Sequence, residues 1–313
     1  MLKYFIKRII YFVPTLLVVA FIVFFLIHLI PGDPALVMLG ADANKEAVAS
    51  LREALGLDKP LPVQFVTWLG NVVRGNFGVS IHSRLPVVQS IKERFPVTLT
   101  LTTLALLFSL IFSIPSGILA ALYRNTKKDY FFMFATTLGV SVPGFWMGLV
   151  ALMFFSLKLG WLPASGFVSI WENFWGGLRY MLLPSLTLGV AMAAVVARMT
   201  RSSMLEVLNL EYITHARAKG LTEWKVIVKH AFKNAFAPTL TTIGLQYGVL
   251  LGGSVVTETV FNLPGLGKYI VVSISMRDYP VVQGCILYIA IVYLVINLAV
   301  DLLYVYFDPR IEY

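Results

Sequence analysis

The stretch EYITHARAKGLTEWKVIVKHAFKNA, residues 211–235, carries five basic residues, Arg217, Lys219, Lys225, Lys229 and Lys233, against two acids, Glu211 and Glu223. The chain on either side is almost wholly apolar. Glu211 to Lys219 reads as one short helix. Gly220 suits the position just past a helix C-terminus, where the backbone turns left-handed. Thr222 suits the cap of a second helix with Glu223 in its first turn. The pattern is a basic helix-turn-helix held at both ends by hydrophobic segments, and it raises the question of what such an element does there.

The rest of the composition sets the solvent. Hydrophobic residues make up 58% of the 313 residues and charged residues 13%, against roughly 45–50% and about 25% in globular domains. The mean hydropathy is +0.81. A chain of this kind is solvated mostly by lipid. Its net charge of +9 therefore matters less than where the Lys and Arg are placed. The single cysteine, Cys285, excludes an internal disulfide and any multi-cysteine metal site, and in its apolar run it reads as a small buried hydrophobe.

A helix needs about 20 apolar residues to cross the hydrocarbon core. Six stretches qualify: 9–30, 97–123, 130–157, 183–200, 236–256 and 284–306. The N-terminus starts like a signal peptide, but its apolar run is longer than the roughly 7–15 residues of a secretory core and no A-x-A site follows. It reads as an uncleaved first span. The expected fold is thus an all-α integral membrane protein of six transmembrane helices, divided into 1–30 (N-terminus and first helix), an extended loop at 31–96, and a five-helix core at 97–313 containing the 201–235 loop.

The short connections 1–8, 124–129, 201–235 and 307–313 hold 13 Lys/Arg in 56 residues, whereas 158–182 and 257–283 hold 4 in 52. By the positive-inside rule both termini and 201–235 face the cytoplasm, and the loop 31–96 lies outside. That loop nearly balances seven Lys/Arg with six Asp/Glu. It reads as two short helices broken at Gly56 and at Pro60 and Pro62, followed by a short strand or extended hook where Phe77, Val79 and Ile81 alternate with smaller or polar residues.

Catalytic chemistry is hard to place in this chain. There is no G-x-x-x-x-G-K-[ST] phosphate loop, so ATP binding is expected elsewhere. His28, His82, His215 and His230 are scattered without metal-ligand spacing. Asp301, inside the sixth stretch, is read as a structural carboxylate pairing with Arg198, Arg201 or the loop, with a proton relay as the sharper alternative. Pro143-Gly144 interrupts the third stretch and is expected to kink it. Both a kink that lines a pathway and a kink that serves packing fit this site.

Three readings compete for the opening stretch. A DNA-binding helix-turn-helix would need freedom to enter a groove, which the adjoining spans deny. A basic helix lying on anionic membrane lipid is the second. The third is a knob docking into a soluble partner, with the small residues Ala216, Ala218 and Gly220 allowing close approach.

At this stretch the chain resembles the permease subunits of bacterial ATP-binding-cassette importers of type I, in the dipeptide, oligopeptide, glutathione and nickel branch. Their coupling loop carries Glu-Ala-Ala-x3-Gly. Here Gly220 and Ala216 match, Thr214 and His215 stand in place of the Glu and the first Ala, and Ala216 to Gly220 gives the branch pattern A-R-A-K-G. The resemblance extends over nearly the whole chain through LIPGDP (29–34), GLDKPLPVQF (56–65), GNFGVSIHSRLPV (75–87), RMTRSSMLEVL (198–208), HAFKNA (230–235), ETVFNLPGLG (258–267), MRDYPVVQG (276–284) and NLAVDLLYVYFDPRI (297–311).

What the resemblance implies is specific. The chain would be a permease in the bacterial inner membrane, with no cofactor of its own and no nucleic-acid partner. It would work with a second, non-identical permease, two cytosolic ATPases that bind ATP and Mg, and an external substrate-binding protein. Glu211, Ala216, Arg217, Ala218, Lys219 and Gly220 would form the ATPase-docking loop. Glu258, Phe261, Pro264, Gly265, Arg277 and Asp278 would form an external gate or binding-protein contact. The rivals are a nickel-chelate importer of the same branch, a non-transporting membrane scaffold and an integral enzyme.

Overall fold

A computed structural model describes residues 2–28, 34–39 and 44–307. The described residues are almost entirely helical. In chain order the helices are α1 (Leu2–His28), α2 (Pro34–Leu39), α3 (Lys45–Leu55), α4 (Leu61–Val73), α5 (Val87–Leu122), α6 (Lys127–Ser141), α7 (Gly144–Ala151), α8 (Phe174–Leu208), α9 (Glu211–Ala218), α10 (Glu223–Lys225), α11 (Lys233–Val260), α12 (Leu266–Ser275) and α13 (Tyr279–Phe307). π-helical turns at Leu152–Lys158 and Val226–Phe232 extend α7 and join α10 to α11. Most of LIPGDP and the end of the last motif, 308–311, lie outside the described residues.

Four helical stretches among the described residues are long and apolar enough to span a membrane: Val87–Leu122, Phe174–Leu208, Glu223–Val260 and Tyr279–Leu303. The 36 residues of α5 measure roughly 54 Å at about 1.5 Å per residue, well beyond a hydrocarbon core of about 30 Å. The helices therefore start or end outside the apolar runs that the sequence marks as spans. A fifth span requires counting α6 and the following arm, Gly144–Lys158, as one bent pair. In α1 the apolar stretch Ile10–Phe25 is shorter than these.

The third stretch is broken, not merely kinked. Its two arms meet at 98°. Pro143 has no N–H and pushes the preceding residue out of the helical region. Val142 accordingly sits at φ −89°, ψ 126°, and α7 restarts directly after Pro143. The sequence expectation of one kinked helix over 130–157 is corrected in this respect.

The chain divides into two compact units. The first comprises Val97–Gly267 and Val295–Tyr313. In it α8 packs against α6, α7 and α11. The α5–α8 contact is close: a Cβ at Gly117 would come within 2.6 Å of the Ala197 carbonyl oxygen, so only glycine fits there. One apolar core joins Val97 and Leu101 of α5, Met181 and Leu183 of α8, and Phe261 and Leu263 after α11.

The second unit comprises Leu2–Pro96 and Lys268–Leu294. Three short helices, α2, α3 and α4, lie in the long loop, the last two being the pair that the prolines and glycines suggest. Asn44 Oδ1 accepts from the Glu46 N–H at the start of α3, and Gly56 ends that helix at φ +67°. Phe24 of α1 lies against Phe65 and Trp68 of α4, with centroids 5.4 and 5.6 Å apart. The alternating 77–82 segment forms no regular strand. It is a hook with one antiparallel bridge, Val79 to Pro86, because the Ser80 and Ile81 groups turn towards Asp278.

Candidate coupling site

Helix α9 starts after Leu210, whose side chain offers no cap, and carries Glu211 in its first turn, where a carboxylate favours the positive end of the helix dipole. It ends through Lys219 at φ −74°, ψ 4°, and Gly220 at φ +76°. The Gly220 N–H donates to the Arg217 carbonyl at 2.9 Å. The residue past the helix is thus left-handed, as the sequence indicates. Thr222 makes no side-chain cap. The expected second helix is the first turn of the 38-residue stretch Glu223–Val260, so the element is one short helix folded back on the stem of a long one.

Three sets of contacts hold α9 there. Ile213 and Ala216, one turn apart, enter a buried cluster with Met204 of α8 and Val226, Ile227, Ala231 and Ala235 of the long helix. The Tyr212 hydroxyl donates to the His230 carbonyl at 3.2 Å and accepts from Asn234 Nδ2 at 2.8 Å. Arg217 donates from Nη2 and Nε to the two Glu223 oxygens at 2.7 and 3.2 Å, closing the turn. That hydrogen bond holds the Glu223 carboxyl below its ordinary range and the Arg217 guanidinium above its own. Both side chains remain about half exposed, at 42% and 55%.

The expected docking set therefore divides. Glu211, Arg217, Ala218, Lys219 and Gly220 are exposed, but Ala216 faces inward at 9% exposure. Its small side chain packs into α9's own support, whereas the sequence reading puts it among the partner-facing residues. Three exposed apolar residues join the outer face instead: Leu210, Leu221 and Trp224, the last 74% exposed. A lone tryptophan in a basic, polar turn was the available signal for this surface.

A second tie lies at the same end of the first unit. Arg201 of α8 donates from Nε and Nη2 to the two Asp129 oxygens of α6 at 2.8 and 2.7 Å. The Asp129 side chain is 3% exposed. The structure pairs Arg201 with Asp129; Arg201 is one of three partners, with Arg198 and the loop, expected for Asp301.

The residues expected to form an external gate separate between the two units. Glu258, Phe261, Pro264 and Gly265 belong to the first. The Glu258 side chain is fully buried and accepts from the Thr98 hydroxyl at 2.6 Å, while Thr98 Oγ1 accepts from the Leu266 N–H at 2.8 Å. A side chain at Gly265 would overlap the Glu258 carboxylate, so the P-G-L-G turn wraps around that group. Arg277 and Asp278 belong to the second unit. Asp278 is buried and accepts from Ser80 Oγ at 2.5 Å and the Ile81 N–H at 3.1 Å, while His82 Nε2 lies 2.8 Å from the Met276 carbonyl. Arg277 takes a left-handed backbone at φ +57° beside it. Of the six, Pro264 and Arg277 offer exposed side chains, whereas Glu258, Phe261 and Asp278 point inward. Pro143 and Gly144, at the break, are also exposed. Among the described residues no group of three or more His, Cys, Asp or Glu side chains is arranged to hold a metal ion.

A many-spanned helical protein with a short helix braced against the stems of two long ones has the form of a transport permease. The binding-protein-dependent transport system inner membrane component model matches residues 113–313, and the N-terminal model of the same transport systems matches 1–102. The chain belongs to this family and is a multi-pass permease of a bacterial binding-protein-dependent importer of the ATP-binding-cassette class. It is 46% identical over 313 residues, the full length of both chains, to the glutathione transport system permease protein GsiC of Salmonella paratyphi A. It is 45% identical over the same length to that of Escherichia coli strain K12. The fold is similar to an inward-facing structure of the MetNI methionine ABC transporter, with a TM-score of 0.58, 19% identity, and coverage of 70% of this chain and 97% of that one.

Proposed function

We propose that this chain is one of two non-identical permeases of an importer of small peptides, with dipeptides, oligopeptides and glutathione as the substrate class. Two ATPases bearing ATP and Mg engage it at the cytoplasmic face, and an external binding protein delivers the substrate. Both termini, 124–129 and 201–235 lie on the cytoplasmic side. Loop 31–96 and the segments 158–182 and 257–283 lie on the other. The asymmetry of Lys and Arg supports this orientation. The full-length likeness to glutathione permeases supports the substrate class.

The observation that carries the coupling role is the two-faced build of α9. Its inner face is locked by Ile213, Ala216, Tyr212 and the Arg217–Glu223 pair. Its outer turn presents Ala218, Lys219, Gly220, Leu221 and Trp224. A push on that turn passes through packed side chains into α8 and the long helix beginning at Glu223, because a close-packed interior transmits displacement instead of absorbing it. The break at Pro143 places two short arms where one rigid rod would otherwise stand, which suits a wall that changes shape. Pro264 and Arg277 are the exposed candidates for contact with the binding protein.

The test is uptake of labelled glutathione and a labelled dipeptide in cells carrying the whole importer, with this permease intact or deleted. Peptide uptake that requires this chain is expected. Uptake of a nickel chelate alone, or no dependence of any uptake on this chain, would overturn the reading.

A further inference from the structure

Between α5, α6 and α8 lies a groove of about 480 Å³. Its wall is almost wholly carbon, with Phe112 and Leu119 from α5, Phe131 and Ala135 from α6, and Val190 and Ala193 from α8. Three hydroxyls in it turn back on carbonyls of their own helices, Ser109 to Leu106, Ser116 to Ser113 and Thr136 to Met133. The buried Ser113 hydroxyl is the exception. Phe112 and Phe131 are 61% and 67% exposed, so the groove opens sideways beside α5 and α8, both long and apolar enough to span a bilayer.

One end of this groove is strongly basic. Arg124 follows Leu119 by five residues, and Lys127 precedes Phe131 by four, or roughly 6–8 Å along a helix axis at about 1.5 Å per residue. Arg124, Lys127 and Lys128 are exposed, and none of them forms an ion pair among the described residues. The turn that presents them is fixed. Asn125 is left-handed at φ +62° and donates its N–H to Asp129, and the Thr126 hydroxyl donates to the Tyr123 carbonyl.

Lys127 and Lys128 stand at the N-terminus of the 15-residue α6. Positive side chains are disfavoured at the positive end of a helix dipole. Thr126 makes no side-chain cap there, and the one acid of the first turn, Asp129, is taken by Arg201. Arg124, Lys127 and Lys128 thus share one exposed turn at the start of α6, a few residues from the groove-lining Leu119 and Phe131, with the Lys128 ammonium resting 4.2 Å from the Tyr123 ring centroid. That combination suits an anion with a hydrocarbon tail.

We infer that this groove binds one acidic phospholipid, its phosphate at Arg124, Lys127 and Lys128 and an acyl chain along α5, α6 and α8. A bound lipid would brace α6 against α8 at the end where α8 leads into α9, next to the Asp129–Arg201 tie.

Native mass spectrometry of the detergent-solubilised importer tests this, with phosphatidylglycerol and phosphatidylcholine of identical chains as probes. The intact complex is expected to retain one phosphatidylglycerol in clear preference to phosphatidylcholine. The exposed double substitution Lys127→Gln/Lys128→Gln is expected to weaken phosphatidylglycerol binding about 30-fold, at about 1 kcal/mol per basic residue, and to leave phosphatidylcholine binding and the thermal unfolding midpoint unchanged. Ala193→Phe, which fills the groove, is expected to weaken both lipids. Equal retention of the two lipids, or unchanged phosphatidylglycerol binding in the double substitution, would overturn the inference. So would a photo-crosslink from a photoreactive residue at position 131 to the second permease in native membranes, because a protein helix would then occupy the groove.

Discussion

Two arginine–carboxylate pairs in this protein have the same geometry and opposite settings. Arg217–Glu223 and Arg201–Asp129 are both two-pronged, with shortest contacts of 2.7 Å. The first is about half exposed on both sides, and in the second the carboxylate is 3% exposed and the guanidinium 24%. A surface pair is screened by water and typically contributes about 0–1 kcal/mol. A buried pair contributes little net, but removing one partner strands a charge and costs about 3–5 kcal/mol. The pair on the α9 turn therefore adjusts that turn, whereas the pair between α6 and α8 is one the fold cannot lose by halves.

The largest effect follows from halving the buried pair. Arg201→Met is expected to lower stability by about 3–5 kcal/mol, read as loss of the chain from membranes and a lower unfolding midpoint in detergent. Adding Asp129→Asn should restore most of it, since no charge then remains stranded. A double variant no better than the single would show that the tie does not act through charge.

Next comes the inner face of α9. Ala216→Trp is expected to cost at least about 1–3 kcal/mol by overpacking, lowering the unfolding midpoint and ATPase co-purification together. Ala218→Trp, on the exposed side, should leave the midpoint unchanged and reduce co-purification alone. If the two variants behaved alike, the division of α9 into a supporting face and a contact face would fail.

Gly220→Val forces a branched side chain into a left-handed backbone, at a cost of roughly 1–2 kcal/mol. Nothing lies within 4 Å of a Cβ at that position, so the effect is one of conformation and not of crowding. Reduced coupling of ATP hydrolysis to uptake is expected, with membrane levels near normal. Gly220→Asn, which tolerates this backbone better, should be milder.

The smallest effect belongs to Arg217→Ala, at about 0–1 kcal/mol and weaker in high salt. The pH sign follows from the lowered Glu223 pKa. The stabilisation it gives is present above the unfolded carboxyl value, near 4.5, and disappears as pH falls through the lower folded value. Thermal unfolding of wild type and Arg217→Ala should therefore differ at neutral pH and converge in acid.

The positions of four long helices among the described residues were legible from apolar run length, because lipid leaves the backbone few other choices. The third run, however, proved to be two arms meeting at 98°, and the first carries only a shorter apolar stretch. The turn at Gly220 was legible because a helix end needs a left-handed residue. Three things were not. Helix ends ran past the apolar runs, since α5 begins at Val87 and α8 at Phe174 in polar or aromatic sequence. The inward aim of Ala216 depends on which face α9 turns to its stem, and an eight-residue helix with few apolar residues does not declare that. Asp129 and Arg201 are 72 residues apart, and their meeting depends on α6 packing against α8.

The central claim is that α9 supports itself with one face and meets an ATPase with the other. A photo-crosslinking amino acid placed singly at Trp224, Ala218 and Ala216, in the complete importer in native membranes, tests it most directly. Adducts with the mass of an ATPase subunit are expected from positions 224 and 218 and not from 216. Adducts with lipid alone at 224 and 218 would contradict the claim and identify the turn as a membrane-surface element.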